Sequence, residues 1–341
     1  MPHAPEATSS TAQIAILGAG SWGTALAIQF ARAGHTTVLW GRDSVHVQAM
    51  AADRRNERYL PEALFPASLR VEADLSSALQ ARDVLIAVPS HALRHSLEEC
   101  EPHLRDDARV AWATKGFELT TGLLPHEVAG EVLGPKIPLA VISGPTFAKE
   151  VGAGLPTAMT IAANDPVFAK ELAQSISAHN FRAYTSDDII GVEVGGAVKN
   201  VLAIGAGISD GLGFGANTRI ALIARGLAEM MRLGIALGAQ KDTFMGLAGL
   251  GDLVLTCTDN LSRNRRFGLA LAQGQSAASA QESIGQVVEG YFAAKALRSV
   301  ASREKVEMPI SEQIYRILHE GVSPEVATRE LMSRTLKPET V

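Results

Sequence analysis

Apolar positions along this chain fall into two regimes. In the first half, short apolar runs recur between stretches with helical spacing. Residues 13–17 (QIAIL), 37–40, 84–88, 110–113 and 139–142 are such runs, and each reads as a buried strand. Runs that are apolar without alternation suit strands covered on both faces, as in a parallel sheet flanked by helices. From about residue 191 the pattern turns helical. Residues 191–207, 218–237 and 284–299 carry helical periodicity or helix-forming composition. The pattern predicts a doubly wound α/β domain over 13–190 and an all-helical domain over 191–335, preceded by a loose tail over 1–12. A length of 341 residues, too great for one compact core, agrees with two domains.

The first strand runs into GAGSWG, residues 18–23, then a helical stretch (24–33) ending at Gly34. A G-x-G-x-x-G string is weak alone. After a strand, opening a helix and inside a β-α-β unit, it reads as a dinucleotide-binding fingerprint, which makes the first domain Rossmann-type. Gly18 permits the turn, Gly20 lets backbone approach a pyrophosphate, and Gly23 allows helix and strand to pack closely. Amides at the helix start, favoured by its dipole, then face the phosphates. An NAD site places Asp or Glu at the end of the second strand; here WGRD puts Arg42 there, with Asp43 next. A guanidinium suits a 2′-phosphate, so NADPH is expected to serve at least as well as NADH. The competing reading leaves Arg42 solvated and gives the ribose to Asp43.

The later strands end in PSH (89–91), TKG (114–116) and SGPT (143–146). Ligands in such sheets bind beyond the carboxyl ends of the strands, which aims Lys115 and the turn holding Gly144 and Thr146 at a ligand. His91 reads as a loop or helix-start histidine. In the second half, two stretches read as polar loops. AGLGDLVLTCTD (248–259) sets Asp252 and Thr256 among glycines and aliphatics. NLSRNRRFG (260–268) gathers Arg263, Arg265 and Arg266 around Asn264. Three arginines are too few for a nucleic-acid track, and a small phosphate or carboxylate fits better; a solvated charged loop is the plainer alternative. GGAVKNVLAIGAG (195–207) places Lys199 and Asn200 on an otherwise small and apolar helix. A buried ammonium loses solvation and its pKa falls, further with Lys115 nearby. Such a lysine can exchange a proton with an alcohol or carbonyl oxygen, which hydride transfer to a ketone requires. Asn200 can add a hydrogen bond, and Asp252 can orient the ammonium. A lysine snorkelling from the helix end is the alternative.

Composition narrows the partners. With 47% hydrophobic and 20% charged residues and a net charge of −5, neither a nucleic-acid nor a membrane surface is suggested. Cys100 and Cys257 make no disulfide framework and no metal cluster, and are expected to be reduced thiols of a cytosolic protein. The first dozen residues lack the basic and apolar regions of a signal peptide. No uncharged run reaches the roughly 18 residues of a membrane helix. The nearest, 220–239, is broken by Arg225, Glu229 and Arg232 and reads as a buried amphipathic helix.

In order, GAGSWGTALA, WATKG, AVISGPTFAKE, GGAVKN, GFGANTR, GLAGLGDLVLTCT, SRNRRFG and GQVVEGY resemble the blocks of bacterial-type NAD(P)-dependent glycerol-3-phosphate dehydrogenases, over roughly residues 14–318. The resemblance implies reduction of dihydroxyacetone phosphate by NADPH or NADH to sn-glycerol 3-phosphate, the phospholipid backbone precursor, by a cytoplasmic homodimer. It implies Lys199 as catalytic proton donor and acceptor. It assigns Lys115, Gly144, Thr146, Asp252, Ser262, Arg263 and Asn264 to the substrate. To the cofactor it assigns Ser21, Trp22, Arg42, Lys115, Ala148, Arg263, Val287 and Glu289. Ser262, Ala148, Val287 and Glu289 rest on the resemblance alone, whereas Asn200 and Thr256 join the substrate set from the residue pattern. Two rivals remain at this point: a two-domain dehydrogenase of hydroxy or keto acids, and a non-catalytic dinucleotide sensor.

Overall fold

A computed structural model of the chain describes residues 13–335, so the expected tail over 1–12 lies outside the described residues. Eight strands form one sheet: β1 (Ile14–Leu17), β2 (Thr37–Trp40), β3 (Leu69–Glu72), β4 (Asp83–Ile86), β5 (Arg109–Trp112), β6 (Leu139–Ser143), β7 (Thr157–Ala163) and β8 (Phe181–Ser186). Their order is β8-β7-β6-β5-β4-β1-β2-β3. Strand β1 lies between β2 and β4, parallel to both, with Ile14 opposite Thr37 and Asp83. Chain order reverses there, which makes the carboxyl end of β1 the natural ligand crevice. Ile14 and Ile16 pack into one apolar layer with Leu26 and Phe30, while Ala15 and Leu17 face the other with Leu97 and Trp112. Successive side chains of a strand point to opposite faces, and both faces here are covered, hence the uniformly apolar strands.

The far end of the sheet departs from the parallel pattern. Strand β7 runs antiparallel to β6, with Ser143 opposite Thr160, and β8 is parallel to β7. These two strands carry weak signals, one rich in Thr and Ala, the other an edge strand with mostly solvated side chains.

The helical half is built around one helix of 23 residues, Ile189–Gly211. It outruns the expected 191–207 because Asp188 caps it, accepting from the Gly191 amide at 2.8 Å. By length and composition it comes closer to a membrane span than 220–239 does, at mean hydropathy 1.5, yet 89% of that apolar window is buried inside the protein. Its small residues permit backbone contact. A Cβ at Gly207 would sit 2.0 Å from the Arg265 carbonyl oxygen, and one at Gly268 2.1 Å from that of Ile204. The helices Ala216–Ala236, Asp252–Thr258, Arg263–Ala272, Glu289–Arg303 and Pro309–His319 pack around it.

Two expectations are corrected here. Residues 248–258 and 263–268 are helical rather than loops, with 259–262 a short link between them. A π-helical turn, Leu247–Gly251, leads into Asp252–Thr258, and the Ser262 hydroxyl caps Arg263–Ala272 by accepting from the Arg265 amide. The expected helix over 284–299 is two helices, Ala277–Ile284 and Glu289–Arg303. They are parted by Gly285 at φ +67°, a left-handed cap that ends the first.

Candidate active site

Strand ends and helix starts from both halves meet at a cleft of about 1400 Å³. On the sheet side, Gly18, Gly20, Ser21 and Trp22 line it. Gly18 holds φ +117°, and a Cβ at Gly23 would lie 1.9 Å from the Gly18 carbonyl oxygen, so Gly23 sits behind the loop as a packing glycine. Nothing lies within 4 Å of the Cβ position at Gly20. The helix Ser21–Arg32 has no side-chain cap and no acidic residue in its first turn. Its orphan amides and positive dipole end are therefore available to an anion. The Trp22 indole nitrogen is buried without a hydrogen-bond partner. This cradle fits the pyrophosphate of a dinucleotide.

Arg42 is exposed at the end of β2 and lines the same cleft. Asp43 caps the helix Ser44–Asp53, its carboxylate accepting from the amides of Val45 (3.1 Å) and His46 (3.2 Å). The Asp43 carboxylate is thus engaged in capping, while Arg42 stands exposed to the cleft. A short ribbon, Arg55–Asn56 paired with Leu60–Leu64, closes this end. Its Asn56 amide donates to the Ala19 carbonyl (3.0 Å) and the Thr24 hydroxyl (2.8 Å), and brings His46, Arg58 and Tyr59 to the cleft wall. Sequence reasoning missed these residues because they belong to no motif.

At the deep end one carboxylate holds two ammonium groups. Asp252, 1% exposed, accepts from Lys199 Nζ at 2.6 Å through one oxygen and from Lys115 Nζ at 2.7 Å through the other. Lys199 also donates to the Thr256 hydroxyl (3.0 Å), which in turn donates to the Asp252 backbone carbonyl (2.6 Å). Lys115 further contacts the Gly144 carbonyl at 3.4 Å. Burial pulls Lys199 down to about 8; the Asp252 carboxylate opposes that fall, and the Lys115 ammonium assists it. Burial would raise the Asp252 carboxyl, but Lys115 and Lys199 overcome it and hold the group below its ordinary value.

The third wall is a chain of amides. Asn264 donates to the Asn200 side-chain oxygen (2.9 Å), Asn200 donates to Glu289 (3.2 Å), and the Gly290 amide donates to Asn264 (2.9 Å). Arg263 donates to the Gln286 side-chain oxygen at 3.2 Å. Ala148, Thr146, Ser262, Val287 and Glu289 also line the cleft, whereas Gly23, Gly144 and Asp252 support it from behind. His91 lines it as well.

The expected three-arginine grip becomes two. Arg263 and Arg266 face the cleft, but Arg265 is buried on the far side, paired with Asp210 and Asn260. Two residues apart on a helix is about 200°, so the first and second arginines must point opposite ways. Cys100 and Cys257 are buried, and burial pushes both thiols up to about 12, which leaves them inert.

Comparison with known proteins gives a consistent outcome. Residues 13–169 match the family described as NAD-dependent glycerol-3-phosphate dehydrogenase N-terminus, and residues 188–329 match its C-terminus. The chain is 58% identical to a glycerol-3-phosphate dehydrogenase [NAD(P)+] of Yersinia pestis (strain Pestoides F), over 98% of this chain and 99% of that protein. Among solved structures, glycerol-3-phosphate dehydrogenase from Coxiella burnetii is 49% identical with a TM-score of 0.92, covering 95% of this chain and 99% of that one. A ketopantoate reductase from Ralstonia eutropha JMP134 shares the fold alone. It is 18% identical with a TM-score of 0.58, over 94% of this chain and 99% of that one.

Proposed function

The chain belongs to the NAD-dependent glycerol-3-phosphate dehydrogenase family, and from that premise we propose how its own residues perform the reaction. The enzyme interconverts dihydroxyacetone phosphate and sn-glycerol 3-phosphate, using NADH or NADPH. The bound nicotinamide supplies or accepts the hydride. Gly18, Gly20, Ser21 and Trp22 would hold the pyrophosphate end, with Arg42 at the adenosine ribose. Ala148, Val287 and Glu289 would enclose the remainder, with Lys115 and Arg263 reaching both cofactor and substrate.

The observation that carries this reading is the Asp252 carboxylate shared by Lys115 and Lys199. Lys199 donates a proton to the keto oxygen during reduction and recovers it from the hydroxyl during oxidation. A lysine near 8 does both close to neutral pH, because either form is accessible at little cost. Asp252 orients the ammonium. Lys115 makes Lys199 a stronger acid by like-charge repulsion, and Thr256 fixes the direction of its N–H groups. The substrate phosphate would meet Arg263, Asn264 and the start of the helix Arg263–Ala272, whose dipole favours an anion. Gly144 and Thr146 border the substrate on the sheet side, and Asn200 links its wall to Glu289.

We assign the division of labour to 13–190 for cofactor and 191–335 for substrate and catalysis. We also place the enzyme in the cytoplasm as a homodimer that feeds glycerophospholipid synthesis. Two buried, unpaired cysteines support a reducing compartment. The test is an absorbance assay with dihydroxyacetone phosphate and either reduced cofactor. Fast oxidation supports the reading; a protein that binds NADPH but oxidises none of it would overturn it.

A further inference from the structure

Glu193 belongs to no part of the chemistry described above, yet it is 3% exposed on the same helix as Lys199. A buried carboxyl is costly unless its oxygens are well satisfied. Here every contact crosses to another element. One oxygen accepts from the Trp112 indole N–H at 2.9 Å and from the His126 backbone N–H at 2.9 Å. The other meets His126 Nδ1 at 2.6 Å. Trp112 is the last residue of β5, three positions before Lys115. His126 is the second residue of the helix Pro125–Leu133, whose first-turn amides have no partner within the helix. The carboxyl therefore ties three elements at one point: the strand that delivers Lys115, a neighbouring helix start, and the helix that delivers Lys199.

The two lysines come from segments 84 positions apart in sequence, and they must meet one carboxylate with both bonds within 2.7 Å. Asp252 itself arrives on a third segment, after a π-helical turn. Packing of apolar residues is non-directional and sets such a meeting point loosely. A directional polar link between the strand and the helix sets it more tightly. We propose that Glu193 is a positioning residue for catalysis: its links to Trp112 and His126 fix the Lys199 helix against the Lys115 strand. It does not line the cleft. The inference rests on the function proposed above.

Burial pushes the Glu193 carboxyl above its ordinary value, with the His126 contact the chief opposing influence. Against the pull of burial, the same contact raises His126, so the two groups are tied to each other, and Gln is the replacement that keeps hydrogen-bonding atoms in the place of both oxygens. Gln keeps an acceptor for Trp112 and for the His126 amide, and its NH₂ can donate to the ring nitrogen. Ala keeps none of these. Trp112→Phe removes the indole N–H together with part of a fully buried ring system, so the thermal transition reports its packing loss and kcat reports the lost link.

The experiment compares wild type, Glu193→Gln, Glu193→Ala and Trp112→Phe, each checked for a cooperative thermal transition. Turnover of dihydroxyacetone phosphate by wild type comes first; its absence would sink the functional reading and this inference with it, whereas a turning-over wild type with unaffected variants sinks this inference alone. Misplacing reacting groups by ~1 Å costs on the order of 10²-fold. Glu193→Ala should therefore lower kcat by roughly tenfold to a hundredfold, with KM for NADPH changed by less than about twofold. Glu193→Gln should recover most of the rate, and Trp112→Phe should fall between. Fluorescence of the cofactor-free protein gives an independent readout. The Trp112 contribution, defined by its loss in Trp112→Phe, should shift in Glu193→Ala and stay near wild type in Glu193→Gln. Should Glu193→Ala not fold, Trp112→Phe decides, and an unchanged kcat there overturns the proposal. A folded Glu193→Ala enzyme with wild-type kcat, or Gln and Ala variants equally damaged, overturns it as well.

Discussion

Oxidation of glycerol 3-phosphate should rise with pH up to about 8 and level off above it, because only the amine form of Lys199 can take the hydroxyl proton. Burial brings Lys199 from the ordinary 10.5 to about 8, a difference worth roughly 3 kcal/mol against the ammonium. Below the breakpoint the amine fraction falls about tenfold per pH unit, and kcat/KM should fall with it. Ketone reduction uses the ammonium and should stay level below about 8 and fall about tenfold per pH unit above it. The profile of kcat/KM is the right observable, since it reports the free enzyme. The second ionisation of the substrate phosphate, near 6, lies below the breakpoint and does not obscure it. Two variants give opposite signs. Asp252→Asn removes the anion that raises Lys199 and should move the breakpoint down. Lys115→Met removes a like charge and leaves Asp252 to Lys199 alone, which should move it up. The assay is initial formation of reduced nicotinamide from about pH 6.5 to about 10. A wild-type breakpoint near the ordinary lysine value would falsify the desolvation account. So would shifts of both variants in one direction.

Other outcomes follow from the same geometry. Lys199→Ala should reduce kcat by about 10²–10⁴-fold with NADPH affinity near normal; more than half the activity remaining would remove Lys199 from its role. Arg42→Ala should lower the NADPH-to-NADH ratio of kcat/KM by roughly tenfold to a hundredfold, the scale of one charge-assisted hydrogen bond of about 1.5–3 kcal/mol. An unchanged ratio would return the ribose to Asp43. Gly20→Ala and Gly23→Ala should separate binding from folding. Nothing lies within 4 Å of a Cβ at Gly20, so that variant should melt like wild type while calorimetry shows weakened NADPH binding. At Gly23 a Cβ would meet the Gly18 carbonyl oxygen at 1.9 Å, and a drop in melting temperature is expected even without cofactor.

What could be read along the chain was local. The strand–glycine–helix unit at 14–32 was legible because each part is written in consecutive residues: four apolar positions, a turn that needs Gly18 at φ +117°, and a helix start without a side-chain cap. Lys199 was legible as a chemical anomaly, one ammonium on a helix otherwise made for burial. Helical spacing also carries its own geometry, and taking 263–272 as a helix would have turned Arg265 away from Arg263. Reading it as a loop hid that.

The remainder depended on distances between residues far apart in sequence. Nothing near Asp252 says that its two oxygens will each receive a different lysine, 53 and 137 residues away. The antiparallel turn of the sheet at β7 was equally silent, because strand direction is chosen by how the chain returns and not by the strand's composition. Glu193 belongs to no motif, and only the fold closes Trp112 and His126 around it. The sequence by itself determined the dinucleotide-binding unit, the central strands, the long apolar helices and which side chains are chemically odd, since propensity, capping and periodicity act over a few residues. Only the tertiary structure decided which odd side chains meet, because burial and hydrogen-bond geometry belong to pairs of segments that packing brings together.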